Sequence, residues 1–562
     1  MTLESRIDDW SRGLRGPLVA AFIAMVAGLP GLMGMPPLDR DESRFAQATA
    51  QMLETRDFVN IRFQDEPRYK KPIGIHWLQA IGVSLFSDPA DRQIWAYRLP
   101  SLFGAMLAAA AACWGARGFW GPRTGMLAGA LLGSTFLLST EAFIAKTDAA
   151  LCGFTTLAIA ALARLYAEHR GGPPARKRTR LFFWLGLAMA TLIKGPVGPM
   201  VVILTCAALW AWDREATWLK RLGWGWGLIL FFAIVGPWAM AITVATDGAF
   251  WGAAVSGDLA PKLAGGQETH GAFFGYHTLL VPFLIFPATM LLPAALVRAW
   301  EHRKEAGVRF ALCWLVPSWI VFELMPTKLP HYTLPVFGAL AWLMASALKR
   351  PLTRPLIVAG VALSGLAALL YAAVCVYGLE QFGAGTDVVW AVLTVLLFAG
   401  AAIGGGWFLF RHQIGTALLT AGVLGILGHA AMAGGLAPHL EPLWLSSDVT
   451  RALTKAGLNP RQGVTPGPVE VAGYAEPSLV FSLGTTTDLG DADDAAAGIA
   501  DGRPAIVESR EEPAFHRALA AEGLAARPVA TVKGVDYSKG DKMALTIYRG
   551  APQTDVTPEP VP

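Results

Sequence analysis

Asp39, Asp41 and Glu42 stand with Arg40 and Arg44 in a six-residue stretch that follows an apolar run and Pro36-Pro37. Carboxylates so placed can accept a proton or orient a sugar, and guanidinium groups can hold an anion such as phosphate. A basic stretch follows at Arg68-Tyr69-Lys70-Lys71-Pro72, with His76 and Trp77 close behind. Farther along come Lys146-Thr147-Asp148 at the head of an apolar span, Lys194-Gly195-Pro196, and Lys328-Leu329-Pro330-His331-Tyr332 between two spans. Ionisable groups beside hydrocarbon are costly unless paired or functional, which singles out these few. Each also has an ordinary reading. Asp41 and Glu42 suit the first turn of a helix at the membrane surface, Asp148 suits a helix cap, and Lys194 can snorkel to the interface. Tyr69, His76, Trp77 and Tyr332 suit interfacial anchors as well as a binding groove.

The scaffold that must bring these residues together is a membrane protein. Of 562 residues, 54% are hydrophobic and 16% charged, against about a quarter charged in a soluble domain. Net charge is only +4, and the basic residues lie in short clusters between apolar runs. They read as topology determinants, not as a nucleic-acid surface. The five cysteines, Cys113, Cys152, Cys206, Cys313 and Cys375, all lie in apolar runs without a CxxC pair, so neither a disulfide framework nor a cysteine zinc site is expected. No P-loop, Rossmann glycine signature or Ser-His-Asp spacing occurs in a suitable context.

The first apolar run, 16–35, lacks a signal-peptidase pattern and is expected to stay as a helix. The basic stretches at Arg12/Arg15, Arg117/Arg123, 169–180, 214–221, 298–309, 349–354 and Arg411/His412 all fall on the cytoplasmic side under one condition. The short apolar segment 72–86 must then be interfacial or re-entrant within a loop spanning 38–98. About thirteen crossings follow, with the amino terminus inside and residues beyond about 435 outside. The outer loops are 38–98, 141–148, 194–196, 247–276 and 326–332, and they hold the ionisable groups named above. Residues 1–435 then form the membrane domain and 436–550 a small α/β domain, with strands expected at 469–471, 478–482 and 544–548 and a helix at 512–522. The Pro- and Thr-rich tail 551–562 is expected to be disordered.

Five motifs occur in one order: Asp41-Glu42-Ser43-Arg44-Phe45-Ala46, Tyr69-Lys70-Lys71-Pro72, Asp148 opening a span, Lys194-Gly195-Pro196, and Lys328-Leu329-Pro330 running on through Tyr332 to Pro335. In these motifs, from Pro37 through Pro335, the chain resembles glycosyltransferase family 39. The branch is that of the aminoarabinose transferases that modify lipid A, with the protein O-mannosyltransferases more distant. The resemblance implies an α-helical polytopic membrane protein of the GT-C fold with a small extracytoplasmic α/β domain, set in the bacterial inner membrane with its active site facing the periplasm. It implies a polyprenyl-phosphate sugar donor and a glycolipid acceptor, lipid A first, or else a protein acceptor. It makes Asp41 and Asp148 the catalytic acids, with Glu42 beside them. Inversion at the anomeric carbon needs cations on the leaving phosphate, and the candidates are Lys71, Arg44, Lys328 and Lys194. Tyr69, His76, Trp77 and Tyr332 would line the substrate groove. A hydroxyl acceptor would make Asp41 a general base, whereas a phosphate acceptor would leave it an orienting role.

Two positions depart from the family pattern. Many relatives have Glu where this chain has Lys70, and often a His where the counterpart here is Asp258 in the later loop. Glu and His could hold a divalent metal in relatives; here either a Lys70 to Asp258 ion pair stands in its place or Lys70 adds positive charge near the lipid phosphate, and no cofactor is assigned. Residues 265–271 have the composition of a lid or of a plain surface loop. Two other readings, a polyprenyl-lipid transporter or flippase and a lipid-binding scaffold, fit many helices with isolated charges. The concentration of acids in one loop and the lack of an inverted repeat speak against transport.

Overall fold

The computed structural model describes residues 8–259, 271–463 and 466–551. Nine helices in its first half position the residues of interest: α1 (Arg15–Gly34), α2 (Asp41–Thr55), α3 (Gly74–Phe86), α4 (Ile94–Gly133), α5 (Phe136–Glu141), α6 (Asp148–His169), α7 (Lys177–Lys194), α8 (Val197–Asp213) and α9 (Trp224–Ala245). Among the described residues eight helices are long and apolar enough to cross a membrane, nine if the pair Tyr276–Leu284 and Ala288–Glu301, bent by 114°, is one span. Dividing α4 at its break adds one more segment to that number.

α4 has to be divided. At 40 residues it would reach about 60 Å if straight, twice the hydrocarbon thickness. It breaks at Gly121, where φ is 83° and Pro122 follows, and its halves fold back on each other. A Cβ on Gly129 would lie 2.5 Å from the Ala109 carbonyl oxygen, so the close approach requires glycine. α6 is the central helix, 89% buried in its apolar window, whereas α9 is 11% buried and turns Ile229, Phe232, Met240 and Val244 outward, as a lipid-facing helix must. α3 has 13 residues, about 20 Å, too short to cross. It packs along α2, α4 and α7, in keeping with an interfacial or re-entrant element.

The last membrane helix runs to His439, slightly past the expected boundary at 435. Beyond it lies a five-stranded sheet of β3 (Glu470–Ala472), β4 (Asp488–Gly490), β5 (Ala505–Glu508), β6 (Ala525–Asp536) and β7 (Asp541–Ala551), in spatial order β4-β3-β5-β7-β6. The two short strands of the 38–98 loop, β1 (Arg62–Phe63) and β2 (Glu66–Pro67), form a separate antiparallel pair. In the larger sheet β3 pairs parallel with β4 and β5, and β7 antiparallel with β5 and β6. Successive side chains point to opposite faces, so Val471 and Ile506 enter one core while Ala472, Ala505 and Val507 enter the other with Phe515 and Leu519 of the Glu512–Ala521 helix. One expectation fails. Residues 478–482 are not a strand but part of the Pro477–Leu483 helix. Proline at its first turn and Gly484 after its end are helix boundary signals, and it is buried on nearly every side, which erases the one-face pattern that separates helix from strand. Of the 551–562 tail, only Ala551 is among the described residues.

This sheet domain grips the 38–98 loop. Arg92, 6% exposed, donates to Gln47 at 2.6 Å, to the Phe481 carbonyl at 3.0 Å and to Thr485 at 2.8 Å, and pairs with Glu54. The Phe481 ring meets Tyr97 edge-on at 5.2 Å. Gln64 donates to the Thr487 carbonyl at 2.5 Å. At the loop's start the Asp39 amide donates to the Tyr537 hydroxyl at 2.6 Å, and Ser478 donates to the Asp39 carboxylate.

That last contact has a pH dependence. Burial pushes the Asp39 carboxyl up to about 7 from an ordinary 3.8, against the Ser478 hydrogen bond and with Glu476 and Asp536 adding repulsion. A raised carboxyl pKa means that the folded surroundings favour the neutral form. Its contribution is complete below the ordinary value and is lost as pH rises through about 7. Limited proteolysis is expected to release the sheet domain more readily at pH 8 than at pH 5.5 in the parent protein, and equally at both in Asp39→Asn. A parent protein with the same cleavage rate at both values would refute the assignment.

Candidate active site

The site begins with two opposed helix ends. α6 opens on Asp148, an acid at the positive end of a helix dipole, and α7 closes on Lys194, a cation at the negative end. Gly195, at φ 57°, and Pro196 stop α7 there. Packed antiparallel, the two ends meet, and Lys194 Nζ lies 2.5 Å from Asp148 Oδ1. The Lys194 ammonium also stands 5.4 Å from the Tyr332 ring centroid.

Around this pair the chain adds three groups. Lys146 Nζ lies 3.1 Å from Glu141 Oε1, the last residue of α5, and 3.9 Å from Asp148 Oδ2. His331 brings Nδ1 to 3.3 Å from Lys146 Nζ and Nε2 to 3.7 Å from Asp148 Oδ2. The side chains of Glu141, Lys146 and Asp148 are at most 10% exposed, so charges of both signs balance in a dry setting. Burial, with Lys146 and Lys194 opposing Asp148, pushes the His331 imidazole down to about 3, so the ring is neutral. The sequence alone gives Glu141, Lys146 and His331 no role. The signal that could have found them is the need of every buried charge for a partner.

Asp41 faces this network from the first turn of α2. It is solvent-exposed yet walled by protein, and so lines a recess. Burial alone would raise its carboxyl, but Lys146 and Arg68 together hold it below the ordinary range. It is therefore ionised at neutral pH. Arg68 is itself steered by Phe45, with its guanidinium carbon 4.7 Å from the ring centroid. The turn into α2 is unusual: Arg40 takes φ 60° and ψ −103°, a strained conformation for a residue with a side chain. Successive helical residues point about 100° apart, and the turn sends Asp41 and Glu42 in different directions.

Glu42, expected beside Asp41 as a reacting acid, belongs to the framework. It is 1% exposed, and both oxygens are engaged: Oε1 accepts from Arg98 Nε at 2.8 Å and the Ala145 amide at 2.7 Å, and Oε2 from Arg98 Nη2 at 2.7 Å and the Leu38 amide at 2.8 Å. Arg98 also donates to the Leu32, Met35 and Pro36 carbonyls. On its other side Ala145 gives its carbonyl to Gln79 at 3.1 Å, and Ser101 holds the Ile144 carbonyl at 2.6 Å. Glu42, Gln79 and Ser101 thus fix the segment that presents Lys146.

The expected phosphate cations do not all converge. Lys194 is in the network, and Arg44 is half-buried on the first turn of α2. Lys71 donates to the Lys70 carbonyl at 3.3 Å. Lys328 lies apart, donating to the Ala272 and Met325 carbonyls at 3.0 and 2.7 Å and standing near His277. The expected groove aromatics divide as well. Tyr332 borders Lys194, but Tyr69 packs edge-on against Phe250 at 5.5 Å and Trp77 donates to the Phe58 carbonyl at 2.9 Å. His76 cannot line an open groove: it is fully buried against Thr49 at 2.8 Å, because its helix turns that face into the bundle.

Among the described residues no three His, Cys, Asp or Glu side chains converge as a metal site. A protonated Lys70 cannot serve as a ligand, so no metal bridge is built from the described residues. The side chain of Asp258 lies outside the described residues, as do residues 265–270 of the loop read as a lid.

The sequence and the fold find the same relatives. Residues 39–250 match the family model of the dolichyl-phosphate-mannose-protein mannosyltransferases. An undecaprenyl phosphate-alpha-4-amino-4-deoxy-L-arabinose arabinosyl transferase of Pseudomonas aeruginosa strain UCBPP-PA14 is 30% identical over 438 residues, 73% of this chain and 76% of the relative. The chain belongs to this arabinosyl transferase family. It is a glycosyltransferase and a multi-pass membrane protein. The fold of this glycosyltransferase is that of ArnT from Cupriavidus metallidurans, whose structure bound to undecaprenyl phosphate superimposes with a TM-score of 0.73 over 94% of this chain and 97% of that one, at 20% identity. The oligosaccharyltransferase of Archaeoglobus fulgidus shares the GT-C core more loosely, with a TM-score of 0.50 and 11% identity over 88% of this chain and 69% of its own. The stretch matching the family model runs from Asp39 to Phe250, from two residues ahead of α2 into the helix after α9, and so contains Asp41, Asp148 and Lys194.

Proposed function

We propose that this glycosyltransferase moves a sugar from a polyprenyl-phosphate carrier to an envelope glycolipid, lipid A in the first instance, at the periplasmic face of the bacterial inner membrane. The observation that carries the reading is that an ionised Asp41 faces the Asp148–Lys194 pair. Transfer breaks the bond between the anomeric carbon and the carrier's phosphate oxygen, which leaves with the electron pair, and an acceptor oxygen forms the new bond. Lys194 and Lys146, with Arg44 and Lys71 from the 38–98 loop, supply positive charge for the departing phosphate. Asp148 orients Lys194, and neutral His331 donates or accepts without adding charge. Asp41, held ionised, takes the proton of a hydroxyl acceptor, or orients the acceptor where that is a phosphate. The sheet domain clasps the loop bearing Asp41 and works as a positioning cap. Glu42 is a positioning residue that acts through Arg98 and Ala145.

The test is transfer of labelled sugar from a panel of polyprenyl-phosphate sugars into total envelope lipid and protein. Label is expected in the lipid fraction with the parent protein. Asp41→Asn is expected to lower the rate by about 10²–10⁴-fold, the usual weight of a positioned acid or base. Label in the protein fraction would move the acceptor to Ser or Thr side chains. A folded parent protein inactive with every donor would defeat the reading.

A further inference from the structure

We infer that the membrane face opposite the Asp41–Asp148 recess carries a binding site for an anionic phospholipid, its phosphate held by Arg164, Arg176 and Arg178 with Arg117 at the rim. This inference is independent of which donor and acceptor the transferase uses. A cleft of about 560 Å³ opens between the start of α1, α4, α6 and α7 and is lined by all four arginines and by no acid. Arg164 is sixteen residues from Asp148 along α6, about 24 Å away along the axis, which places the cleft at the far end of the bundle.

Among the described residues the arginines there are uncompensated. Arg117 and Arg176 repel Arg164, and among the described residues none of Arg164, Arg176 and Arg178 has a carboxylate within ion-pair distance. The acid nearest Arg164, Glu168, is already paired with Arg221 at 3.0 Å. Neighbouring arginines are treated differently: Arg170 and Arg309 both pair with Asp213. Like charges gathered around a cleft without a counter-ion are stabilised by an anion with several acceptor oxygens, and guanidinium groups suit phosphate above other anions.

The floor of the cleft says what the anion is attached to. Leu107, Trp114, Leu157 and Phe182 line it, so a ligand that fills it brings hydrocarbon under its charge, as a phospholipid does and free phosphate does not. Basic pockets between membrane helices at the positively charged side take anionic headgroups by this combination, and 12–15, 117–123 and 169–180 are the basic stretches of that side.

Native mass spectrometry of the full chain in detergent tests this, titrating cardiolipin or phosphatidylglycerol against phosphatidylethanolamine with matched acyl chains. The parent protein is expected to bind the anionic lipids at least about tenfold tighter. The triple variant R164Q/R176Q/R178Q is expected to lose affinity on the order of a hundredfold, while R350Q/R354Q keeps it. Excess inorganic phosphate is expected not to displace the lipid. Equal affinity for both lipid classes, unchanged binding in the triple variant, or displacement by phosphate would each overturn the proposal. Should the triple variant not fold, Trp114→Phe carries the test: brominated anionic lipid is expected to quench the parent protein more than this variant, and equal quenching would overturn the site.

Discussion

Asp148→Ala is expected to lower sugar transfer by about 10³-fold, and Lys194→Ala added to it is expected to lower the rate little further. Asp148 lies 2.5 Å from Lys194 and within reach of Lys146 and His331. Without it, Lys194 loses the anion that aims it, and the network is left with two ammonium groups facing Glu141 and Asp41. Loss of one preorganised charge contact costs about 3–4 kcal/mol in the barrier, roughly a hundredfold to a thousandfold in rate. Groups that act as a unit give non-additive losses. The readout is kcat and KM for single and double variants with one lipid-linked donor, beside a melting curve for each. Full additivity would mean that Asp148 and Lys194 serve separate steps. A fall confined to KM would make the pair a ground-state binding element.

Glu42→Ala is expected to act on stability, in contrast to its neighbour Asp41. The Glu42–Arg98 pair is wholly buried, and truncating one partner leaves a guanidinium without an anion in a dry interior, a cost of about 3–5 kcal/mol. Net stabilities of folded domains are about 5–15 kcal/mol, so most of the margin goes. The variant is expected to melt far below the parent and to lose activity through displacement of the Ala145–Lys146 segment, whereas Asp41→Asn keeps the parent's melting temperature. The apolar pair Glu42→Leu/Arg98→Met is not expected to restore stability, since the carbonyls of Leu32, Met35 and Pro36 lose their donor. Restoration by that pair would show that the ion pair had been the only structural issue.

Composition and the placing of basic residues were enough to determine a polytopic helical membrane protein, because hydrocarbon thickness and the positive-inside rule act on the chain locally. Five ordered motifs were enough for the family, and three of their residues, Asp41, Asp148 and Lys194, meet in one recess. What tertiary structure decided is which neighbour in a motif faces the recess. Asp41 and Glu42 are adjacent acids of similar chemistry, and only the turn at Arg40 and the position of Arg98, 56 residues away, send one to solvent and bury the other. His76 reads as a groove residue until α3 packs against α2. Glu141, Lys146 and His331 become one network only when α5, the loop before α6 and the turn after Lys328 come together. The Pro477–Leu483 helix likewise reads as a strand until it is enclosed on all sides. Periodicity reports a residue's environment only while one face is wet, and pairing between distant charges leaves no local pattern; both are settled when the helices pack.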